Sequence, residues 1–439
     1  MSASSVPVLV IGAGPAGIGA AVRLRELGIE HLVVDAGEAP GGMAASTTDE
    51  HGFTWDLGGH VIHSHFPSFD RAVRDSGAAV RDVERNGWVW MRGDDRASMV
   101  PAPVQAQLAV IPDDLDPDAP AAHLADYYRN CFGADLYARF FEPYNRKMWT
   151  IPLEEVDAAW TSHRSGGTGR NVPELSLAAD SAGRPRETFP YPVGGTGALW
   201  AGIVENLADA SSFRFGVSVT AIDAAARTAT LSDGTRVRYE HLVSTAPLPW
   251  LLRQLEHDED ADLLRASAEV AIGLGYEGEV PEALRDVTWL YCPDPAVPWF
   301  RGTVMSTYDP STAGEGRWSM LLEVPRLDGR DPDVDEAARA CAASLAVLGA
   351  DPDRLVSVWS RRLPMAYPVP TLGRDDVLRR ADAALTAHGI RSRGRFGGWR
   401  YESCNQDYAY AQGIQAVDAA LTGSEEDVLW EPEAYRSSQ

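Results

Sequence analysis

The stretch "VPVLVIGAGPAGIGAAVRLRELGIEHLVVDAG", Val6 to Gly37, decides how the rest of the chain is read. Val8 to Ile11 is a continuous apolar run of the kind a fully buried strand needs. A glycine turn comes next, a helical pattern runs to Gly28, and a second apolar run closes on Asp35. That order is a βαβ unit. Gly12, Gly14 and Gly17 stand at the G-x-G-x-x-G spacing, which lets backbone amides at a helix N-terminus approach a pyrophosphate. The spacing alone is weak. Asp35 strengthens it, because it falls 23 residues after Gly12, at the end of the second strand, where a carboxylate accepts hydrogen bonds from ribose hydroxyls. The unit is read as a dinucleotide site.

Beyond Asp35 the chain runs into a polar, glycine-rich connection, "GEAPGGMAASTTDEHGFTWDLGGHVIHSH", and not into another regular βαβ repeat. Its glycine pairs, Gly41–Gly42 and Gly58–Gly59, let backbone approach a large flat ligand. A third such element, "YPVGGTGALWAGIVENLA", enters a helix after Gly194, Gly195 and Gly197. Downstream, "FRFGVSVTAIDAAARTATLSDGTRVRYEHLVSTAP" has two alternating runs around "SDG", which predict a hairpin and a returning strand. This order resembles the FAD-binding fold shared by amine oxidases, protoporphyrinogen oxidases and UDP-galactopyranose mutases. The resemblance implies FAD, held by Gly12, Gly14, Gly17, Asp35, Gly42, Gly58, Gly59, Gly194, Gly195 and Val219.

With 439 residues, 45% of them hydrophobic, the chain can bury a large core spread over two or three domains. The first residues, "MSASSVPVLVIGAG", lack a basic segment and a long apolar run, so a cytoplasmic protein without a membrane span is expected. A net charge of −24 repels nucleic acid and anionic membrane, so an anionic ligand needs a local concentration of arginines. Cys131, Cys292, Cys341 and Cys404 are scattered without a CxxC pair, which argues for buried free thiols over a disulfide framework or a zinc site. Three histidines, His60, His63 and His65, crowd into "GGHVIHSH". No Asp, Glu or Cys stands at a metal-site spacing from them, and no metal is predicted.

"FFEPYNRKMWTIPLEEVDAAWTSHR" (Phe140 to Arg164), "GRFGGWRYESCNQDYAYAQGIQAVDAAL" (Gly394 to Leu421), "GGHVIHSH", "PYPVGGTGALW" and "WLYCPDPAVPWFR" together resemble the UDP-galactopyranose mutases, the eukaryotic-type branch more than the shorter bacterial one. The resemblance spans nearly the whole chain. It implies a flavin reduced by NADPH or NADH, whose N5 attacks the anomeric carbon of a nucleoside-diphosphate sugar while the diphosphate leaves and later returns. Pyranose and furanose rings interconvert with no net redox change. It further implies that Arg301 and Arg395 clamp the diphosphate, arginine being suited by its bidentate charge-assisted bonds. Tyr291, Tyr367 and Tyr401 become neutral hydroxyl donors, with Asn405 and Arg164 near the sugar. His60 lies against the flavin ring, and His63, where relatives commonly carry an aromatic, faces the sugar pocket. Gln105, Phe140 and Asn145 form a base site, and Trp149 belongs to the same substrate side.

The pattern breaks where eukaryotic-type relatives carry "PYPFQ": this chain has "VPAPVQAQL", with Ala102 and Val104 in place of the aromatics. Base stacking on an aromatic is worth about 1–3 kcal/mol, so the nucleotide is open. Arg186, near an asparagine of relatives, bears on the same question. The architecture expected is α/β: a Rossmann-like FAD-binding domain over about residues 1–85, 190–260 and 385–439, a helical substrate subdomain over about 95–180, and an antiparallel sheet over about 265–380. A monomer and a homodimer both remain open. So do an FAD-dependent oxidase or desaturase of the amine-oxidase type and a flavin-bound protein without turnover, since fold alone does not choose between them.

Overall fold

The computed structural model describes residues 4–102, 115–116, 119–161 and 188–435. Two seven-stranded sheets organise it. In the first, strand Ser4–Ile11 lies between Arg236–Ser244 and His31–Val34, parallel to both. Its apolar residues Val8, Leu9 and Val10 are almost fully buried, as a central parallel strand requires. The hairpin expected around "SDG" is formed: Thr228–Leu231 pairs antiparallel with Arg236–Ser244, and Val219–Asp223 adds on the outside. Strand Ile390–Ser392 also joins Arg236–Ser244 in parallel, bringing the C-terminal part of the chain back to the glycine turn.

Helix Pro15–Glu26 packs directly on helix Gln406–Thr422. Small residues allow it: a Cβ on Gly413 would meet the Ala16 carbonyl oxygen at 1.9 Å, and one on Gly19 would meet that of Tyr410 at 2.2 Å. The contact sets the start of the C-terminal helix beside the dinucleotide turn.

The second sheet runs Leu355–Pro368, Ala266–Glu277, Arg317–Pro325, Arg301–Val304, Trp289–Tyr291, Gly87–Trp90 and Met99–Pro101. It is antiparallel as expected except at one place, where Trp289–Tyr291 pairs parallel with Gly87–Trp90. Gly87–Trp90 and Met99–Pro101 come from outside the 265–380 segment, so the sheet recruits chain that precedes the helical region. Pairing completes the edge that "WLY" would otherwise expose. Helices Leu124–Leu136 and Glu142–Trp149, joined through Tyr137–Phe141, cover this sheet with an aromatic-rich core. All four cysteines are buried and free of disulfides. Among the described residues no helix is long and apolar enough to cross a membrane.

Candidate active site

A cavity of about 1170 Å³ extends from the glycine turn of the first sheet to the inner face of the second. At its first end the backbone does the fitting. Gly12 has φ +96°, and a Cβ there would meet Thr245 Oγ1 at 2.0 Å. Gly14 opens helix Pro15–Glu26 without a side-chain cap, leaving the first amides available to an anion. Gly42 abuts it, with only 3.0 Å between a Cβ built on Gly42 and the Gly14 Cα. Gly17 serves from behind: its Cβ would strike the Gly12 carbonyl oxygen at 1.8 Å, so it lets the helix sit down on the turn. Asp35 lines the cavity, and its carboxylate accepts from the amides of Ala13 (2.5 Å) and Gly37 (2.6 Å).

The middle of the cavity is walled by the segment Leu57–Val61. A Cβ on Gly59 would come within 2.6 Å of Thr303 Oγ1 and 2.9 Å of Trp289 Nε1, so the backbone passes flush against the second sheet. His60 is next in the chain. Burial, and then the charges of Arg395 and Arg301, push its imidazole down to about 3, so it is neutral at neutral pH. Its Nδ1 is buried without a hydrogen-bond partner among the described residues. An orphaned polar atom on a cavity wall fits a ligand with a polar ring edge. With the open helix N-terminus and the paired glycine turns, this wall fits a dinucleotide ending in a flat polar ring system.

The C-terminal helix fixes the far end of that segment. Gln406 donates to the Val61 carbonyl (3.2 Å) and accepts from Trp200 Nε1 (2.7 Å). Asp407 accepts from the His65 amide (3.1 Å) and bonds its Nδ1 (2.7 Å). His63 sits beside Arg85, 3.4 Å from its Nη2. The three histidines thus have different neighbours, and no three His, Cys, Asp or Glu side chains among the described residues are grouped to hold a metal ion.

The other end is a wall of charge. Antiparallel register sets Arg301 opposite Glu323, and the two form a bidentate pair at 2.7 Å for both bonds. Burial opposes the guanidinium's charge, but the Glu323 carboxylate more than offsets it and holds Arg301 protonated. Arg301 also donates to the Tyr367 hydroxyl at 2.8 Å, and that hydroxyl donates to Glu323 at 3.3 Å. Arg395 directs Nε and Nη2 at the Ala366 carbonyl (3.0 and 2.8 Å), with its guanidinium 4.8 Å over the Tyr367 ring. Each arginine is therefore held along one edge by the protein. The Nη1 donors of Arg301 bond no described residue, which leaves an end of the fork for an anion. Beneath Tyr401, the buried Arg374 donates to Glu402 at 2.6 and 3.2 Å, and this charge holds the Glu402 carboxyl down at about 2 against burial. Lys147 fastens the loop after Tyr291, donating to the carbonyls of Cys292, Val297 and Trp299 at 3.2, 2.9 and 3.0 Å.

A family model described as an NAD(P)-binding Rossmann-like domain matches residues 10–75. Over 99% of its length, and 98% of the other chain, the protein is similar to a crystal structure of reduced UDP-galactopyranose mutase, with 32% identity and a TM-score of 0.86. The chain belongs to the UDP-galactopyranose mutase family. Beyond the family the likeness is one of fold: a wild-type putrescine oxidase bound to putrescine matches at 16% identity and a TM-score of 0.68, covering 96% of this chain and all of that one. Cyclohexylamine oxidase from Brevibacterium oxydans IH-35A matches at 17% and 0.69, covering 94% and 98%.

Of the residues singled out from sequence, His60, His63, Tyr291, Tyr367, Tyr401 and Asn405 line the cavity with Arg301 and Arg395. Gly12, Gly14, Asp35, Gly42, Gly58, Gly59 and Val219 line its dinucleotide end. Others are placed elsewhere. Gly194 and Gly195, expected at the cofactor, seat helix Thr196–Leu207 instead: the Gly194 amide donates to Asp309 (2.7 Å), and a Cβ on Gly195 would meet Ser46 Oγ at 2.5 Å. Buried Asp56 accepts from Ser46, Tyr191 and the Thr196 amide and anchors that turn. Phe140, Asn145 and Trp149, expected on the substrate side, belong to the helical core. Phe140 stacks on Tyr144, the Asn145 amide donates to the Phe141 carbonyl (2.9 Å), and Trp149 meets Tyr401 edge-on from behind. Ala102 is likewise buried in that core. Val104, Gln105, Arg164 and Arg186 lie outside the described residues. Sequence reasoning missed Glu269, Glu323 and Arg85 on the cavity wall, and it noted His65 without giving it a role there. For the two glutamates the available signal was a lone carboxylate inside an apolar strand-like run, as in "SMLLEVP" and "SAEVAIGLG".

Proposed function

We propose that the protein is a flavin-dependent pyranose–furanose mutase of a nucleoside-diphosphate sugar, UDP-galactopyranose or a relative with a different base or sugar. The observation that carries this reading is one cavity with a dinucleotide cradle at one end, neutral His60 in the middle and an arginine–tyrosine wall at the other. FAD, reduced by NADPH or NADH, supplies a nucleophilic ring nitrogen for the anomeric carbon when bound. The chain's own residues do the rest. His60 keeps an uncharged imidazole at the ring position, so it does not draw the diphosphate away from the arginines. Arg301 and Arg395 grip the diphosphate while it is detached and keep it in place for recapture. Tyr291, Tyr367 and Tyr401 add donors without adding charge, and burial keeps the Tyr367 phenol protonated. Asn405, at the start of helix Gln406–Thr422, offers an amide to a sugar hydroxyl. The surrounding aromatic core keeps water from intercepting the detached sugar. The altered segment at Ala102 and Val104 is the reason to leave the base and sugar open.

The test is chromatography of UDP-galactofuranose incubated with the holoprotein, once oxidised and once reduced by dithionite. Conversion to UDP-galactopyranose only after reduction is the expected result. No conversion in either state removes UDP-galactose as substrate. Oxygen consumption with an amine would replace the mutase by the oxidase reading.

A further inference from the structure

Glu269 is a carboxylic acid with no part in the mutase chemistry just assigned to the cavity. It sits in strand Ala266–Glu277, is 6% exposed, and lines the cavity. Register fixes its position. Ala271 pairs with Glu323 and Glu269 pairs with Pro325, so Glu269 lies one diagonal step from Glu323 on the same sheet face. On the neighbouring strand Leu363 pairs with Glu269 while Tyr367 pairs with Ser267; the extra residues bulge and turn Met365, Ala366 and Tyr367 toward the cavity. The charged and titratable groups near Glu269 are Glu323, Arg301, Tyr367 and Arg395, and His60 lines the same cavity.

The charges in this cluster do not balance against a diphosphate. Arg301 and Glu323 neutralise each other in their bidentate pair. Arg395 and Glu269 remain. Arg395 is held by a carbonyl, Tyr367 and the Cys404 sulfur, not by a carboxylate, and the Glu269 carboxyl group makes no hydrogen bond to any described residue. An ionised Glu269 would cancel Arg395 and set a buried negative charge beside an anionic ligand, an arrangement that a low-dielectric wall penalises strongly. A neutral carboxyl group does the opposite: it leaves Arg395 uncompensated and offers one O–H to a phosphate oxygen. Burial, and then Glu323, already push Glu269 well above the usual carboxylate range.

We propose that Glu269 is a diphosphate-binding residue that works as the neutral acid, so that nucleoside-diphosphate binding takes up one proton at this carboxylate wherever the pH leaves it ionised in the free protein. The proton comes from solvent and returns to it when the ligand leaves; no other bond changes. The inference rests on the diphosphate reading of the site.

UDP-glucose is a suitable probe, because its diphosphate diester does not titrate near neutral pH. Its dissociation constant is measured on the oxidised holoprotein, by flavin absorbance, from about pH 6 to pH 9, for the native chain and for Glu269→Gln. Binding should weaken with rising pH in the native protein, approaching about tenfold per pH unit once free Glu269 ionises, and stay flat or nearly so in Glu269→Gln. His63 and His65 also line the cavity and are kept in the variant, so any contribution of theirs remains in both curves. A second measurement needs no variant: calorimetry of UDP-glucose binding at about pH 8 in two buffers of different ionisation heat should show net proton uptake by the native protein. Tight binding with no pH dependence and no uptake, or an equal slope in Glu269→Gln, overturns the role of Glu269 alone. Absence of binding in both proteins overturns it together with the diphosphate reading.

Discussion

The two ends of the cavity are built on opposite principles. At the dinucleotide end the wall is backbone: glycines that let a turn, a helix and a second turn come within van der Waals distance, and one carboxylate held by two amides. At the substrate end the wall is side chain: two arginines, two glutamates and a tyrosine, most of them buried, from four strands and a short helix that lie far apart in sequence. The first end is tolerant of what the ligand carries, because amides at a helix start accept any pyrophosphate. The second is selective, because Arg301 and Glu323 hold each other and a ligand must fit the charge that remains on Arg395 and Glu269.

The largest effect should come from adding bulk to the backbone end. Gly17→Val drives a side chain into the Gly12 carbonyl, so the helix must lift off the turn. The purified variant is expected to lose most of its flavin absorbance, with a lower unfolding temperature. Retention of full flavin would mean that this end is not defined by close backbone approach.

The substrate end breaks differently. Arg301→Ala leaves Glu323, 1% exposed, without its partner and beside Glu269. Stranding a buried charge costs about 3–5 kcal/mol, to be read from chemical denaturation. The double variant Arg301→Ala, Glu323→Gln should recover part of that loss while leaving nucleotide binding weak. Recovery of both would show that Arg301 neutralises Glu323 and does little else.

Near neutral pH the smallest effect joins the two ends. Folded His60 stays neutral down to about 3, whereas the unfolded residue takes a proton near 6.5. Between those values the unfolded chain binds more protons, so stability falls as pH drops through this window, by at most about 1.4 kcal/mol per pH unit. His60→Asn should show a shallower acid slope in thermal unfolding. Identical slopes would place the acid sensitivity on other groups.

Legibility divided along the same line. The glycine turn, Asp35 and the hairpin around "SDG" were reachable from sequence because each sits in a short motif whose spacing carries its geometry, whereas the cavity-lining His60, Arg301 and Arg395 were reachable only through the family resemblance of the motifs around them. Gly194 and Gly195 show why the rest was less legible: a glycine pair before a helix is also a device for seating that helix on a buried acceptor, here Asp56. Phe140, Asn145 and Trp149 pose the same question, because an aromatic segment supports a site from behind as readily as it lines one. Glu269 was invisible, since nothing in "SAEVAIGLG" says which strand lies alongside.

By itself, the sequence determined the βαβ cradle and the motifs of the family, because these depend on backbone freedom and on neighbours a few residues apart. Only the tertiary structure decided the charge balance of the substrate wall. That balance depends on strand register, which sets Arg301 against Glu323 and Glu269 one step away, and register is a property of residues that are distant in the chain.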